Sequence, residues 1–449
     1  MTEPGERARG EKTPRRRSGR GDRGPDAEPG SLPRLGGRAC LAIFLAALVV
    51  RAAVVFATGS SSTRFADAPA YLLGARALAE TGTYPRRTDS WLFRPPGYSF
   101  FLAAATLGHP DSIAACRLVT AAAGSLAPVL LAALSARLFR RRGLALGTGV
   151  LAAVHPALVL ASSEIQSEAV FLPLLLAAAY LLLAASDRPS SNLAVLAGAF
   201  LALAALTRSS ALAVAPFLVA PLFDPRHPRR ANLHIALSAL LGFGVALAPW
   251  TVRNALVFRE LILVNDGAGY VFYGRNAEAA LGLIGAHDRE ALGRAVEALE
   301  RARLERIAGL PEEVRASPGR LSRALTEAAL DERRADPAGT LRLLAWKIGD
   351  WLRPWPDPRF WPMPAVIGVG AYAIVLWGLF AVGCARAQRS GARLFCLLFL
   401  AATMLLHVVL ETNARYRAAY WDPVLVLYAA FGAATLAAGP APRPAPAAA

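Results

Sequence analysis

The residues best equipped for chemistry stand close together early in the chain: Asp67 and Tyr71, then Arg86, Arg87 and Arg94. An ionised carboxylate can take a proton from a hydroxyl, and guanidinium forks match the oxygens of a phosphate. Asp67 precedes Ala68-Pro69, a helix-opening pattern, so Tyr71, four residues on, shares its face. Gly82 closes that helix as a C-terminal cap. Asp67 reads equally as an N-cap, a role compatible with catalysis.

These residues sit in a polar interval between apolar runs. The chain has 449 residues, 55% of them hydrophobic, with a mean hydropathy of +0.38. Repeated apolar runs of about twenty residues define an all-α polytopic membrane protein and exclude a soluble fold. The net charge of +17 is almost wholly arginine, since Lys12 and Lys347 are the only lysines. It clusters in short loops, which points to topology and anionic lipid contact rather than to nucleic acid. Cys40, Cys116, Cys384 and Cys396 lie in apolar segments without metal-ligand spacing, and the histidines show none either.

Residues 1–38, with ten basic and six acidic side chains, read as a disordered cytoplasmic tail. Residues 39–250 form a transmembrane module that includes an external loop, 59–111. Its spans fall near 40–58, 112–139, 143–160, 168–185, 193–206, 211–223 and 234–250, with Arg140, Arg141 and Arg142 in one inner turn. Residues 251–361 form an external, mainly helical subdomain. In it the stretch NDGAGYVFYGRN suggests turns and a short strand pair, and Leu292, Val296, Leu299 and Ile307 mark a helical stripe. Helices start at Ser317-Pro318 and Asp336-Pro337. The second carries Leu341, Leu344, Ile348 and Leu352 on one face and ends in a tryptophan-rich turn, as a helix lying on the outer surface would. Three C-terminal spans occupy 362–437, and 438–449 is a disordered tail. The total is about ten spans, with both termini cytoplasmic.

Charged side chains at membrane depth cost roughly 2.5 to 3.5 kcal/mol each, so those retained there need a reason. Asp67, Arg94, Glu164, Glu168, Arg208, Arg253, Asn254, Glu411, Arg415 and Tyr416 all fall on the outer side of this topology. Glu164 and Glu168, four apart, could hold a divalent cation or pair with arginines from other helices. Glu411 and Arg415 have the spacing of a helical ion pair. No cofactor is otherwise indicated, and no glycine-rich phosphate loop or Ser-His-Asp arrangement occurs.

Several stretches resemble one family. They are the Asp67-to-Tyr71 pattern, the turn Gly82-Thr83-Tyr84, RPPGYSFFLA from Arg94, SSEIQSEAVF with Glu168, LTRSSALAVAPFL with Arg208, and APWTVRNALVF with Arg253. Further along come GAGYVFYGRNAEAALG, LAWKIGDWLRPW and ETNARYRAAYWDPVLVLYAA. In this order they are similar to the GT-C class of integral-membrane glycosyltransferases, in particular the bacterial relatives of protein O-mannosyl and aminoarabinose transferases. The resemblance implies an inverting transfer of a hexosyl or pentosyl group from a polyprenyl-phosphate donor to an acceptor hydroxyl or phosphate on a lipid, glycan or protein at the outer face of the cytoplasmic membrane. It implies Asp67 as catalytic base and Arg94, Arg208, Arg253 and Arg415 as donor-phosphate ligands. Tyr71, Arg86, Glu164, Glu168, Asn254, Glu411 and Tyr416 would bind or support substrate. Ala68 stands where many protein mannosyltransferases carry a second acid, a departure that bears on protein as the acceptor and on metal dependence.

Two other classes share parts of this pattern. A transporter or flippase of lipid-linked saccharides would thread ionisable groups through the bilayer midplane, and an O-antigen-ligase-like enzyme would use a lipid-linked oligosaccharide. A single cluster of charges at one membrane face separates the transferase from the transporter.

Overall fold

The computed structural model describes residues 35–61, 63, 65, 67–85, 94–387 and 391–438. Most of both expected tails and Arg86 lie outside the described residues. Within them the chain is helical and shows no strand, as the all-α reading requires.

Helix α1 (Gly37–Ala57) is followed by the short α2 (Ala68–Thr81) and α3 (Gly97–Ala105), which occupy the expected external loop. Next, α4 (Ile113–Gly124) and α5 (Leu126–Phe139) run on as one apolar stretch of 27 residues. The pair α6 (Arg142–Val154) and α7 (Pro156–Ser163) bends by 54°. Pro156 supplies the reason, because it lacks the amide hydrogen that would continue the ladder and disfavours a helical residue before it. After α8 (Glu168–Asp187) and α9 (Ser191–Thr207), residues Ser209–Phe223 form a long 3-10 helix containing Pro216 and Pro221. At about 2 Å per residue its 15 residues reach about 30 Å, the thickness of the hydrocarbon layer, although the same stretch as an α-helix would fall short.

The 30-residue α10 (Arg229–Phe258) leads to the polar unit made of α11 (Ala268–Asn276), α12 (Arg289–Ala308), α13 (Glu312–Arg315), α14 (Pro318–Ala335) and α15 (Pro337–Leu352). Its own core contains Tyr273, Leu299, Leu325 and Leu343. Helix α11 replaces the strand pair expected around NDGAGYVFYGRN; Tyr273 and Gly269 on one side pack against α14, and this burial overrides local β-propensity. Both predicted proline-led starts are present, with Ser317 accepting from the Arg320 amide and Asp336 from that of Gly339. On α15, however, Leu343, Lys347 and Trp351 are buried while Leu341, Ile348 and Leu352 face outward. The chain closes with α16 (Met363–Arg386), α17 (Gly391–Val409), a 3-10 turn at Ala414–Tyr416, α18 (Arg417–Tyr420) and α19 (Asp422–Ala437).

The expected spans fall on helical stretches, 112–139 on α4 with α5, 143–160 on the bent pair α6 and α7, and 211–223 on the 3-10 helix. Among the described residues five helices are long and apolar enough to cross a membrane, or six if the bent α6 and α7 count as one. The remainder are shorter apolar helices packed against these. Two helix pairs meet at glycines: Gly198 of α9 and Gly242 of α10 each lie against a carbonyl of the other helix, and Gly383 of α16 and Gly432 of α19 do likewise. Any Cβ there would collide with backbone, the small-residue packing that membrane helices favour.

Candidate active site

Asp67 is held at the start of α2, where its backbone already has helical dihedrals (φ −79°, ψ −24°). An N-cap needs an extended backbone to fold its side chain onto the helix amides, and Asp67 makes no capping bond. The capping expectation is therefore corrected: its carboxylate points away from the helix to two arginines. Gly82, by contrast, closes α2 in the left-handed region (φ 65°) as expected.

Arg94 bonds Oδ1 of Asp67, and Arg415 Nη2 bonds Oδ2 at 2.8 Å. The backbone brings them there. Gly97, two prolines after Arg94, lies so close to the Leu206 carbonyl that a Cβ would come within 2.8 Å of it, which draws the start of α3 against the end of α9. The next residue after α9 is Arg208, extended at the junction with the 3-10 helix. Its guanidinium pairs with Glu168 at 2.9 Å and donates to Ser167 Oγ at 3.1 Å. Arg415 also pairs with Glu168 through Nε at 3.0 Å, without hydrogen-bond alignment. Tyr71 donates to Ser167 at 3.1 Å, and the Tyr416 ring lies 4.9 Å from the Arg208 guanidinium and 5.2 Å from that of Arg415. Asp67, Arg94, Glu168, Arg208, Arg415, Tyr71 and Tyr416 thus form one group drawn from four separate parts of the chain.

The group is graded in exposure. The Glu168 side chain is 3% exposed, Asp67 15%, and Arg94 32%, so the arginine nearest the surface is the most open to an incoming ligand. Burial raises the Asp67 carboxyl, but Arg415 and Arg94 outweigh it and hold the group below the usual carboxylate range. Burial pushes the Tyr416 phenol well up, so it stays protonated and can donate.

Other expected members fall elsewhere. Glu411 does not pair with Arg415, because residues 410–413 are not helical and an i, i+4 pair requires a helix. It instead accepts from Arg275 at 2.8 Å and from the Tyr416 hydroxyl at 2.8 Å, which attaches the polar unit to the group. Glu164 and Glu168 do not share a helical face, since the chain is non-helical between α7 and α8. Glu164 pairs at 3.0 Å with Arg117, both essentially without exposure. Among the described residues no three His, Cys, Asp or Glu side chains converge on a cation. Asn254 donates to the carbonyls of Ile262 and Val264, and Arg253 to those of Tyr84 and Pro85, so both act as braces. The void behind Glu168, shared with Arg51 and Ser162, is about 10 Å³.

Four residues were missed. Arg51 donates to Ser162 at 2.7 Å, and Arg117 bonds Thr58, Gly59, Ser163 and Glu164, fastening the end of α1 to the turn that carries Glu168. A charge within an apolar run was the available signal for both. Arg275 sits inside a stretch taken as strand. Lys347, 1% exposed and bonded to Asn276 Oδ1 at 2.8 Å, lies among residues taken as a membrane-surface helix.

Residues 93–252 match the family model described as dolichyl-phosphate-mannose-protein mannosyltransferase, a span that holds Arg94, Glu168 and Arg208. The match supports the GT-C class of membrane glycosyltransferase expected from the motifs. Two solved structures, ArnT from Cupriavidus metallidurans bound to undecaprenyl phosphate and the same protein in the apo state, are each 16% identical to the chain. They cover 89% and 88% of this chain and 78% and 77% of their own, with TM-scores of 0.43 and 0.41. No curated protein matches the chain.

Proposed function

We propose that the protein is an inverting glycosyltransferase that moves a sugar from a polyprenyl-phosphate carrier to an acceptor hydroxyl at the outer face of the cytoplasmic membrane. The observation that carries this reading is the Asp67 carboxylate clamped between Arg94 and Arg415, with Glu168 and Arg208 behind. Three guanidinium groups against two carboxylates leave one positive charge, a complement to a phosphate monoanion. The tail of such a donor remains in the bilayer while its phosphate reaches the arginines. Basic turns at the opposite end of the bundle, around Arg140 and Arg226, support an outward-facing cluster by the positive-inside rule.

In the reaction the acceptor oxygen attacks the anomeric carbon as its proton passes to Asp67. The bond from that carbon to the phosphate oxygen breaks, its electron pair staying on the polyprenyl phosphate, where Arg94, Arg208 and Arg415 offset the charge. Both Asp67 oxygens are taken by arginines before substrate arrives. A donor phosphate that draws Arg94 and Arg415 to itself removes the charges that depress Asp67 and so makes it a stronger base. The donor would thereby switch on its own catalyst. Transport is less well supported, because α8, α9, α10 and α16 carry no Asp, Glu, Lys or Arg through their middle turns. The test is sugar release from a radiolabelled polyprenyl-phosphate sugar by purified protein: turnover that requires Asp67 supports the reading, and equal turnover by Asp67→Asn removes it.

A further inference from the structure

On the side of α15 away from its buried face lies an open cavity of about 440 Å³, lined by Trp346, Gly349, Asp350, Leu352, Arg353, Pro354 and Trp355. That volume suits a small ligand. Its frame is fixed: the carbonyls of Trp351 and Arg353 accept from Arg417 at 3.0 and 2.7 Å, and Trp355 packs against Gly370 of α16. The lining combines indoles with one ion pair, Arg353 to Asp350 at 3.0 Å. Arg353 Nε has no hydrogen-bond partner. Burial, the largest influence on Asp350, raises its carboxyl despite Arg353.

Indoles beside a carboxylate and a guanidinium suit a ligand with apolar C–H faces and hydroxyl edges. An acyl chain would fit the indoles but leave the charged pair against hydrocarbon, which is costly. Ring contacts join the helix that carries the cavity to the reactive group. Trp351, buried on the other face of the same turn, stacks on His407 at 4.9 Å, and His407 lies 5.2 Å from Tyr416. We propose that this groove binds a sugar ring of the acceptor, so that the acceptor is a glycan-bearing molecule gripped at a distance from the hydroxyl that reacts. The word acceptor rests on the transferase reading; the sugar site itself does not.

Gly349 offers a clean test. A Cβ there meets nothing within 4 Å, so Gly349→Leu starts its side chain in open space at the groove and favours the helix. Full-length protein in nanodiscs is titrated with methyl hexosides, methyl pentosides and methyl β-maltoside, and binding is read by saturation-transfer NMR, with melting temperature as a folding control. At least one glycoside should bind wild type and Asp67→Asn alike, bind Trp355→Ala on the order of tenfold more weakly, and fail to bind Gly349→Leu that melts no lower than wild type. Binding by no glycoside, or unchanged binding to Gly349→Leu, overturns the proposal. Loss in Gly349→Leu of an alkyl phosphocholine signal but of no glycoside signal also overturns it and marks a lipid contact. Glycoside binding lost in Gly349→Leu, in a protein that transfers no sugar, upholds the groove and removes only the transferase reading.

Discussion

Helix α8 has a carboxylate at each end, and the two live in different surroundings. At one end Glu168, 3% exposed, meets Arg208 and Arg415 within the group around Asp67. At the other, Asp187, 21% exposed, meets Arg137, itself 13% exposed, and Arg226, which is 55% exposed and shared with Asp224. Residue types and pairing are alike. Water separates them: exposed pairs contribute little because solvent already satisfies each charge, whereas a buried charge that loses its partner has nothing to replace it. The first end can therefore hold a strongly poised site, and the second serves as a solvated basic border.

The largest break in this contrast comes at Asp67. Asp67→Asn should fold, since Arg415 keeps its pair with Glu168 and Arg94 is 32% exposed, yet lose about 100- to 10,000-fold in transfer rate, the usual cost of a missing general base. Rates within a few fold of wild type would make the two ends functionally equal. Arg117→Ala should come next, destabilising the protein by about 3 to 5 kcal/mol by removing the buried guanidinium that pairs with Glu164 and holds the end of α1. Denaturant unfolding in micelles reads this, and a loss below about 1 kcal/mol would rank the pair with exposed ones.

Glu411→Gln removes the charge that Arg275 and Tyr416 share and should cost about 1 to 3 kcal/mol in stability, with activity reduced far less than by Asp67→Asn. A loss of activity matching that of Asp67→Asn would instead place Glu411 in the chemistry. Lys347 supplies a pH signature. Burial first, then Arg275 and Arg333, lower its ammonium from 10.5 to about 7, with Glu411 opposing. Between those values the unfolded chain binds a proton that the folded protein does not, so stability rises with pH over that window, and below about 7 the cost of the buried charge is fully present. Lys347→Met should flatten the melting temperature between pH 7 and 10; an unchanged slope would assign it to other groups. The smallest effect belongs to the opposite end, where Arg226→Gln, at a side chain 55% exposed, should change stability by less than about 1 kcal/mol and diminish further in high salt. A larger loss would erase the distinction between the ends.

The sequence by itself determined the membrane class, the positions of the apolar helices, the caps at Ser317, Asp336 and Gly82, and that Asp67, Glu168, Arg208 and Arg415 fall at one end of the bundle. These follow from local facts: run length, proline and glycine placement, and charge between runs. Tertiary structure alone decided the partners. It turned Asp67 from a cap into a clamped carboxylate, gave Glu411 to Arg275 rather than Arg415, sent Arg253 and Asn254 to backbone carbonyls, and made a helix of the expected strand pair. An ion pair is chosen by which side chains meet across the bundle, here residues 348 positions apart for Asp67 and Arg415. Close helix packing at glycines and the breaks at Pro156, Arg208 and the turn before Arg415 set that meeting, because a pairing across the fold depends on the path of every helix between.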